Sequence, residues 1–393
     1  MKSAIVTRCT IAERITATSG RTTGFDYLRI ALAVMVIRAH CAGVVFGLNN
    51  ATAKDSLNLM ANNAAPVHPH FWEPIYWFIV PSFFALSGFL VAGSLMRSKT
   101  MLEFVMLRAL RIVPALFVET ILAALILGPL VTEFSIGRYF ADRQFWHYPL
   151  NIVGDIHYTL PGVFLHNPTP RIVNLQLWTI PGELLCYLAI VVVSVIGLIR
   201  IRVAIPVDAI GYAVILTLSL FMSAHNHSAG LPLFAGVSLN TLLISFLAGV
   251  AIFLYRDLLP LNFPIFIGCS VASYALLWNG TYQYAASFPV AYCTVFLGLT
   301  DFRKTFVTAT GDYSYGVYLY GYPVQQTVMY AFPTLNNTWF NFGTSLAVAL
   351  LFASLSWHLV ESQVLARRRT IIASVQTQFD RLSLATRRIT QPR

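Results

Sequence analysis

Residues 27–48 read YLRIALAVMVIRAHCAGVVFGL, an apolar stretch long enough to cross a bilayer as a helix. The stretch contains Arg29 and His40, and ionisable side chains inside a membrane segment are costly and usually mark function. Eleven helical positions of about 100° exceed three turns by roughly 20°, so both side chains lie on one face, about 16 Å apart. Asp26, three residues before Arg29, is its neighbour on that side. We expect one polar cavity in a membrane enzyme rather than a plain anchor.

The composition is that of an integral membrane protein with many spans. Of 393 residues, 57% are hydrophobic and 11% are charged, against roughly 25% charged in soluble domains. Hydropathy predicts an all-α membrane protein, a polytopic bundle of about ten transmembrane helices. The predicted spans are residues 27–48, 75–96, 112–131, 179–199, 203–223, 238–255, 262–279, 283–300, 312–332 and 341–361.

Basic residues concentrate in alternate connections between these spans. They are frequent in the N-terminal tail, in residues 97–111 and after Arg367, and sparse in the opposite loops. The positive-inside rule therefore predicts that both termini are cytoplasmic, which requires an even number of spans. The same distribution accounts for the net charge of +10 without nucleic acid as a partner.

The chain divides into a transmembrane domain, residues 26–362, between basic cytoplasmic tails at 1–25 and 363–393. We expect the tails to be disordered or to lie on anionic lipid. The five cysteines include no CxxC pair, and the histidine pairs have no Cys or carboxylate companions at useful spacing, so no metal site is expected. Those pairs are His68 with His70 and His225 with His227.

Two further segments lie near the basic side of the predicted bundle. Residues 81–90 read PSFFALSGFL, in which Ser87 and Gly88 favour close packing of a neighbouring helix. Arg108 and Arg111 are three residues apart and share a helix face. A forked pair of guanidinium groups suits phosphate recognition, but ordinary topological anchoring explains the same spacing. The spacing leaves both interpretations open.

Two more segments supply polar groups to the spans. Residues 177–183 read LWTIPGE, and Glu183 is open to three roles: an ion pair, an acid near the helix start, or a group facing the cavity. Residues 311–320 read GDYSYGVYLY and carry several hydroxyl groups, which need partners when buried.

Together these segments resemble the acyltransferase-3 family, integral membrane proteins that O-acylate sugars and other acceptors. The most specific likeness is Arg29 followed after ten residues by His40. One departure concerns Gly321, because many relatives have His soon after the late Tyr-Leu pair. The other matching positions, in chain order, are Phe83 to Leu90, Arg108 and Arg111, Leu177 to Thr179 with Glu183, and Ser314 to Leu319.

The resemblance implies acyl transfer from acyl-CoA, with acetyl-CoA as the usual donor, to a hydroxyl of a glycan or lipid-linked sugar. His40 is the expected general base, since imidazole titrates near neutral pH. Arg29 positions the donor or pairs with Asp26 to fix the cytoplasmic entrance, and Glu183 orients the acceptor or His40. The expected donor-binding residues are Arg108, Arg111, Ser87 and Tyr318.

A transporter or flippase for a lipid-linked sugar shares the polytopic form and the buried charges. It gives no reason for the Arg29–His40 spacing together with the Arg108–Arg111 pair. An inactive scaffold of the same fold is a third interpretation. We expect a bacterial inner-membrane protein in contact with lipid. The acceptor, the length of the acyl chain, the oligomeric state and the choice between direct transfer and an acyl-His40 intermediate stay open.

Overall fold

The computed structural model describes residues 9–18, 22–47, 71–198, 201, 203–226, 237–278, 282–305, 311–335 and 337–390. For residues 219–226 and 382–390 only the backbone is described. The predictions on His68, His70 and His227 lie outside the described residues, and so does the side chain of His225.

Helices make up most of the described chain, and a helix overlaps each of the predicted spans. Strands β1 and β2 form one short antiparallel pair, with Cys9 opposite Leu261. In chain order the elements are β1 Cys9–Thr10, α1 Ile11–Ala17, α2 Gly24–Phe46, α3 Glu73–Arg97, α4 Met101–Leu122, α5 Ile136–Ala141, α6 Arg143–His147, α7 Thr179–Val195, α8 Ala204–Asn226, α9 Leu239–Leu254, β2 Pro260–Leu261, α10 Phe263–Trp278, α11 Gln283–Gly298, α12 Ser314–Ala331, α13 Thr338–Ser356 and α14 Arg368–Thr390.

Wider helical turns of the π type extend two of these helices. Helix α4 continues through Ala123–Leu127 to Val131, and α13 continues through Trp357–Glu361 to Ala366. Single π turns inside α-helices occur frequently at functional sites. The second of them turns the carboxylate of Glu361 into the protein, where it is 3% exposed and accepts a hydrogen bond from Ser356.

Five of the described helical segments are long and apolar enough to cross a membrane: Gly24–Phe46, Glu73–Arg97, Met101–Val131, Leu175–Val195 and Thr338–Ala366. The other helices at predicted spans are shorter or more polar. Helix α12 is an example of a more polar helix, because it carries Gln325 and Gln326, both fully buried and hydrogen-bonded inside the bundle. The all-α membrane class is thus confirmed, whereas the number of spans and the location of the termini stay predictions.

Helices α3 and α9 pack backbone to backbone at the centre of the bundle. Gly88 lies against the carbonyl of Phe246, and Gly249 lies against the carbonyl of Ala85, so neither position has room for a Cβ atom. Small residues permit this close approach between membrane helices. The contact confirms the packing role predicted for Gly88 and holds α3 in place, where its opposite face lines the cavity described below.

Residues 132–174, between α4 and α7, form an ordered cap over one end of the bundle. An apolar cluster that includes Tyr139, Tyr148 and Phe164 is its core. Thr169 donates a hydrogen bond of 2.5 Å to the carbonyl of Gly43, and Gln326 donates to the carbonyl of Thr169. These bonds connect the cap to the last turn of α2 and to α12.

Parts of both predicted tails pack against the bundle. In the N-terminal tail, Ile11 is fully buried and the Nε of Arg14 donates to the carbonyl of Leu299. In the C-terminal tail, α14 packs against α4 and begins at Arg368. The domain boundaries at residues 26 and 362 stay predictions, but the bundle includes contacts from beyond them.

Candidate active site

A cavity of about 450 Å³ lies between helices α2, α3, α4, α7 and α12. Its residues on α3 run from Val80 to Arg97, which corresponds to about 25 Å along the helix axis. Ligand sites are typically clefts of roughly 300–1,000 Å³ with apolar walls and a few placed polar groups. The cavity is therefore long and narrow, the shape that an extended chain fills.

One end of the cavity, here called the basic end, is lined by Arg97, Arg108 and Arg368. The Nη2 of Arg108 donates to Ser94 across 3.4 Å, and its buried Nε has no hydrogen-bond partner within the described chain. Leu365, near the end of the α13 extension, and Arg368, the first residue of α14, also line the cavity. Five arginines and two acidic residues line the whole cavity, so it favours a ligand with several negative charges.

Asp312 organises two of these arginines. Its Oδ2 accepts from Arg111 at 2.6 Å and from Arg29 at 3.2 Å, while its Oδ1 accepts from the Ser314 hydroxyl at 2.6 Å. Arg29 also pairs with Asp26 at 3.0 Å, as their spacing predicted. The Asp312 side chain is 22% exposed, so this ionic network is only partly solvated. The charges of Arg29 and Arg111 are therefore largely balanced before any ligand enters.

Glu183 lies in the middle of the cavity wall, on α7. Its Oε1 accepts a hydrogen bond of 2.5 Å from the hydroxyl of Tyr187, one turn further along the helix. The same hydroxyl lies 3.5 Å from the Oγ of Ser87 on α3. Of the three roles that the sequence left open for Glu183, the position facing the cavity is the one found.

The end of the cavity opposite the basic end, here called the closed end, is lined by Val80, Phe83, Thr179 and Tyr318. The hydroxyls of Tyr318 and Thr179 are 2.6 Å apart, and Tyr318 also donates to the carbonyl of Gln176 at 2.9 Å. The rings of Phe83 and Tyr318 meet edge to face at 6.0 Å. Two hydrogen bonds and an aromatic contact thus hold Tyr318 across the end of the cavity.

His40 is not among the residues that line this cavity. Its ring meets the ring of Tyr322 edge to face, with the centroids 5.4 Å apart. Between Arg29 and His40, the shared helix face is filled by Ala33 and Ile37, which pack against α12 and α13. The expectation of one cavity joining Arg29 to His40 is therefore wrong for this arrangement of the helices. The role of His40 as a base stays a prediction.

Comparison with known proteins identifies the fold that carries this cavity. The sequence model of the acyltransferase-3 family, described as an acyltransferase domain, matches residues 22–358. The chain belongs to the acyltransferase-3 family. An O-acetyl transferase of Shigella phage Sf6 is 30% identical over 293 residues, which cover 66% of this chain and 76% of the phage protein. No solved structure matches. The predictions of the family and of an acyltransferase enzyme are confirmed.

The fold brings together most of the residues that the acyltransferase-3 motifs predicted. Arg29, Arg108, Arg111, Ser87, Glu183 and Tyr318 all line the cavity, and Asp26 contacts it through Arg29. Only His40 lies apart. No cluster of three or more His, Cys, Asp or Glu residues able to hold a metal ion occurs in the described ranges.

The sequence motifs left several cavity residues of this acyltransferase without a role. Asp312 and Tyr187 stand inside or next to motifs, but their partners come from distant parts of the chain. Arg97 and Arg368 belong to basic stretches that were interpreted only as topology signals. Two buried or partly buried charged groups have partners outside the cavity: Glu119 accepts a hydrogen bond from Asn174 at 2.8 Å, and Arg38 lies over the ring of Trp339.

Proposed function

We propose that this chain is a membrane-bound O-acetyltransferase that moves an acetyl group from acetyl-CoA to a hydroxyl group of a cell-envelope or exported glycan. The observation that carries the proposal is the narrow cavity lined by five arginines and built from the acyltransferase-3 motifs. The O-acetyl transferase of phage Sf6 supports acetyl as the group transferred.

The basic end of the cavity provides for the phosphates of CoA. Arg108 has an unpaired Nε, and Arg97 and Arg368 lie on two other helices around it. Guanidinium groups bind phosphate oxygens through charge-assisted, often bidentate hydrogen bonds. Arg29 and Arg111, held by Asp312, then maintain the shape and positive potential of the wall.

The rest of the cavity suits the chain that leads from the phosphates to the thioester. Leu86, Leu90 and Ile112 give it apolar walls, and Ser87 with Glu183 supplies polar contacts for amide groups. The thioester then lies toward the closed end, at Thr179 and Tyr318. CoA is a cytoplasmic metabolite, so the basic end faces the cytoplasm, in agreement with the positive-inside rule. The chain then resides in the inner membrane of a bacterium.

His40 lies beyond the closed end and serves as the general base toward the acceptor. It contacts Tyr322, one helical turn beyond Tyr318 on α12, and it does not line the donor cavity. A sugar hydroxyl is a poor nucleophile, and a base within hydrogen-bond reach activates it by taking its proton. The hydroxyl oxygen then forms a bond to the thioester carbon, the C–S bond breaks, and the CoA thiolate receives the proton from His40. An acyl-His40 intermediate is the alternative route.

The experiment that tests the proposal is CoA release by the purified protein in lipid nanodiscs. The protein is given acetyl-CoA with a panel of glycans: O-polysaccharide, capsular polysaccharide and peptidoglycan fragments. Thiol release shows turnover, and mass spectrometry of the glycan shows the acetyl ester. Release that requires one glycan is the expected result. The alternative is tested in reconstituted vesicles. Movement of a lipid-linked sugar across the vesicle membrane without consumption of acetyl-CoA would instead identify a flippase.

We expect His40→Ala to abolish transfer, with a loss of about 10²–10⁴-fold in kcat, the range typical of a general base. Acetyl-CoA binding, measured by thermal shift, should be unchanged because His40 does not line the donor cavity. The matched control is His166→Ala, since the His166 side chain is 84% exposed and pairs with Glu133 in the cap. Near-normal turnover in the His40 variant would exclude His40 as the base.

A further inference from the structure

Gln176 stands directly behind the closed end of the cavity, and its backbone is fixed by several hydrogen bonds. Its carbonyl accepts from Tyr318 at 2.9 Å and from Thr179 at 3.3 Å. Its N–H donates to the side chain of Asn174 at 3.2 Å.

Asn174 is itself held, because its Nδ2 donates to Glu119 at 2.8 Å and to the carbonyl of Leu319 at 3.0 Å. The buried carboxylate of Glu119 on α4 thus fixes the short helical turn Leu175–Trp178 that carries Gln176. The backbone of Gln176 therefore has little freedom to move.

The side-chain amide of Gln176 contrasts with this fixed backbone. The residue is 0% exposed, yet neither its Nε2 nor its Oε1 has a hydrogen-bond partner within the described chain. An unpaired buried amide destabilises the folded protein, so such a group stands out as one kept for a ligand or a reaction. Gln326, equally buried on α12, has both amide atoms paired.

The amide lies against helices α2 and α12. Its Nε2 is 3.3 Å from the position that a Cβ atom on Gly321 would occupy, and the side chain of Ile37 borders the same position. Ile37 precedes His40 by three residues on α2, about 4.5 Å along the helix axis. Gly321 precedes Tyr322, whose ring contacts His40. Gln176 thus contacts Tyr318 at the closed end through its carbonyl, and its amide lies next to Gly321, the neighbour of Tyr322.

We propose that the Gln176 amide donates a hydrogen bond to the acetyl carbonyl oxygen during transfer. The assignment rests on the proposed function. When the acceptor oxygen bonds to the carbonyl carbon, the C=O electron pair moves onto the carbonyl oxygen, and the amide N–H stabilises that negative charge. The pair returns as the C–S bond breaks, the CoA thiolate leaves, and the acceptor proton passes to His40. A preorganised amide donor is well suited to this step, because its position is fixed before the charge develops.

Tyr318 and Thr179 separate the amide from the donor cavity, and both already bond to the carbonyl of the same residue. The proposal requires the Tyr318 ring to rotate, so that the thioester reaches the Gln176 amide while the turn Leu175–Trp178 stays in place. The side chain of Gln176 then gains the partner that it lacks in the resting protein.

The test compares Gln176→Met with Gln326→Met in the CoA-release assay, using acetyl-CoA and the glycan that accepts the acetyl group. Methionine keeps the length of the side chain and removes its amide. For Gln176→Met we expect kcat to fall about 100-fold, as for loss of one oxyanion donor. The KM for acetyl-CoA should change less than about twofold, and the Tm should equal or exceed that of the wild type, because no hydrogen bond is lost. Gln326→Met should lower the Tm, because it loses paired hydrogen bonds.

Two results would overturn the assignment. One is a wild-type kcat in Gln176→Met. The other is a fall in Tm like that of Gln326→Met, with activity lost only in proportion to the folded fraction, which would mark Gln176 as a structural residue. Absence of CoA release from the wild-type protein with every glycan would overturn the proposed function, and this assignment with it. Activity of the wild type therefore separates the two failures.

Discussion

Arg29 and His40 lie on one helix and one face, but their surroundings are opposite. Arg29 belongs to an ionic network with Asp26, Asp312 and Arg111 and lines an open cavity. His40 packs edge to face against Tyr322, one turn beyond the closely packed Ile37. One end of α2 thus faces preformed space and fixed charge, whereas His40 near the other end is partly exposed and lies outside that cavity.

Under the proposed function, this difference means that the donor and the acceptor require different amounts of rearrangement in the protein. A polyanionic donor meets a site whose shape and charge exist in advance, so binding it requires little rearrangement. Transfer to an acceptor at His40 requires a path past Tyr318, whose hydroxyl makes two hydrogen bonds. In the proposed mechanism, closure of that path in the resting protein also keeps water away from the thioester. The basic end and the ionic network around Asp312 are here called the donor half. Changes in the donor half should therefore alter binding and stability, and changes near His40 should alter turnover.

The largest effect in the donor half is expected at Asp312, the centre of the ionic network. Asp312→Asn removes the charge that balances Arg29 and Arg111, so two partly buried guanidinium groups face each other. We expect the free energy of unfolding to fall by about 1–3 kcal/mol, the range for hydrogen bonds to charged groups. Transfer should fall at least about tenfold as the wall of the cavity shifts. Thermal unfolding in nanodiscs and the CoA-release assay measure the two effects.

The control for Asp312 is Asp301→Asn. Asp301 is an exposed carboxylate outside the cavity lining, and it accepts one hydrogen bond from Thr23. The substitution should leave Tm and turnover near the wild-type values. If Asp312→Asn behaved like Asp301→Asn, the arginines would keep their positions without Asp312, and the donor half would not be organised by charge.

A smaller and more selective effect is expected at Arg108, which has an unpaired Nε at the basic end. Arg108→Ala should raise the KM for acetyl-CoA about 10–100-fold, since one charge-assisted hydrogen bond contributes roughly 1.5–3 kcal/mol. The kcat should change less than about threefold, because Arg108 lines the basic end of the cavity and not the closed end. Steady-state kinetics with varied acetyl-CoA measure both constants.

Arg256→Ala provides the comparison for Arg108. The Arg256 side chain bonds the carbonyl of Phe253 and lies over its ring, outside the cavity lining. The KM of the Arg256→Ala variant for acetyl-CoA should stay at the wild-type value. Equal KM values in the two variants would show that Arg108 does not bind the donor. Arg108 would then be a topological anchor, the other interpretation of its spacing with Arg111.

The short-range features of this molecule were predictable from the sequence. Helical periodicity predicted the Asp26–Arg29 pair, and the motifs predicted that Arg108, Ser87, Glu183 and Tyr318 belong to the functional region. Runs of apolar residues predicted the helices because a membrane span must satisfy its own backbone hydrogen bonds. Each of these signals is contained within a few turns of one helix.

The features that could not be predicted depend on partners far away in the chain. Asp312 bonds Arg29 across 283 positions and Arg111 across 201. The separation of His40 from the cavity arises because α12 and α13 pack against Ala33 and Ile37. Gln176 belonged to no motif, and only its burial without a partner distinguishes it. Periodicity assigns a side chain to a face but does not show what fills that face.

The smallest effect is expected at Asp26, the more exposed carboxylate of the same ionic network. Its side chain is 47% exposed, and Arg29 keeps Asp312 as a partner when Asp26 is removed. Exposed ion pairs contribute about 0–1 kcal/mol, so Asp26→Ala should change Tm little and both kinetic constants less than about threefold. The assays used for Asp312→Asn measure this in parallel. A loss as large as that of Asp312→Asn would mean that Arg29 is positioned from its own helix. The position of Arg29 would then depend on the Asp26–Arg29 pair within α2 and not on Asp312, which directly precedes α12. The difference between the two ends of α2 would in that case arise from the sequence of α2 itself and not from the packing of α12.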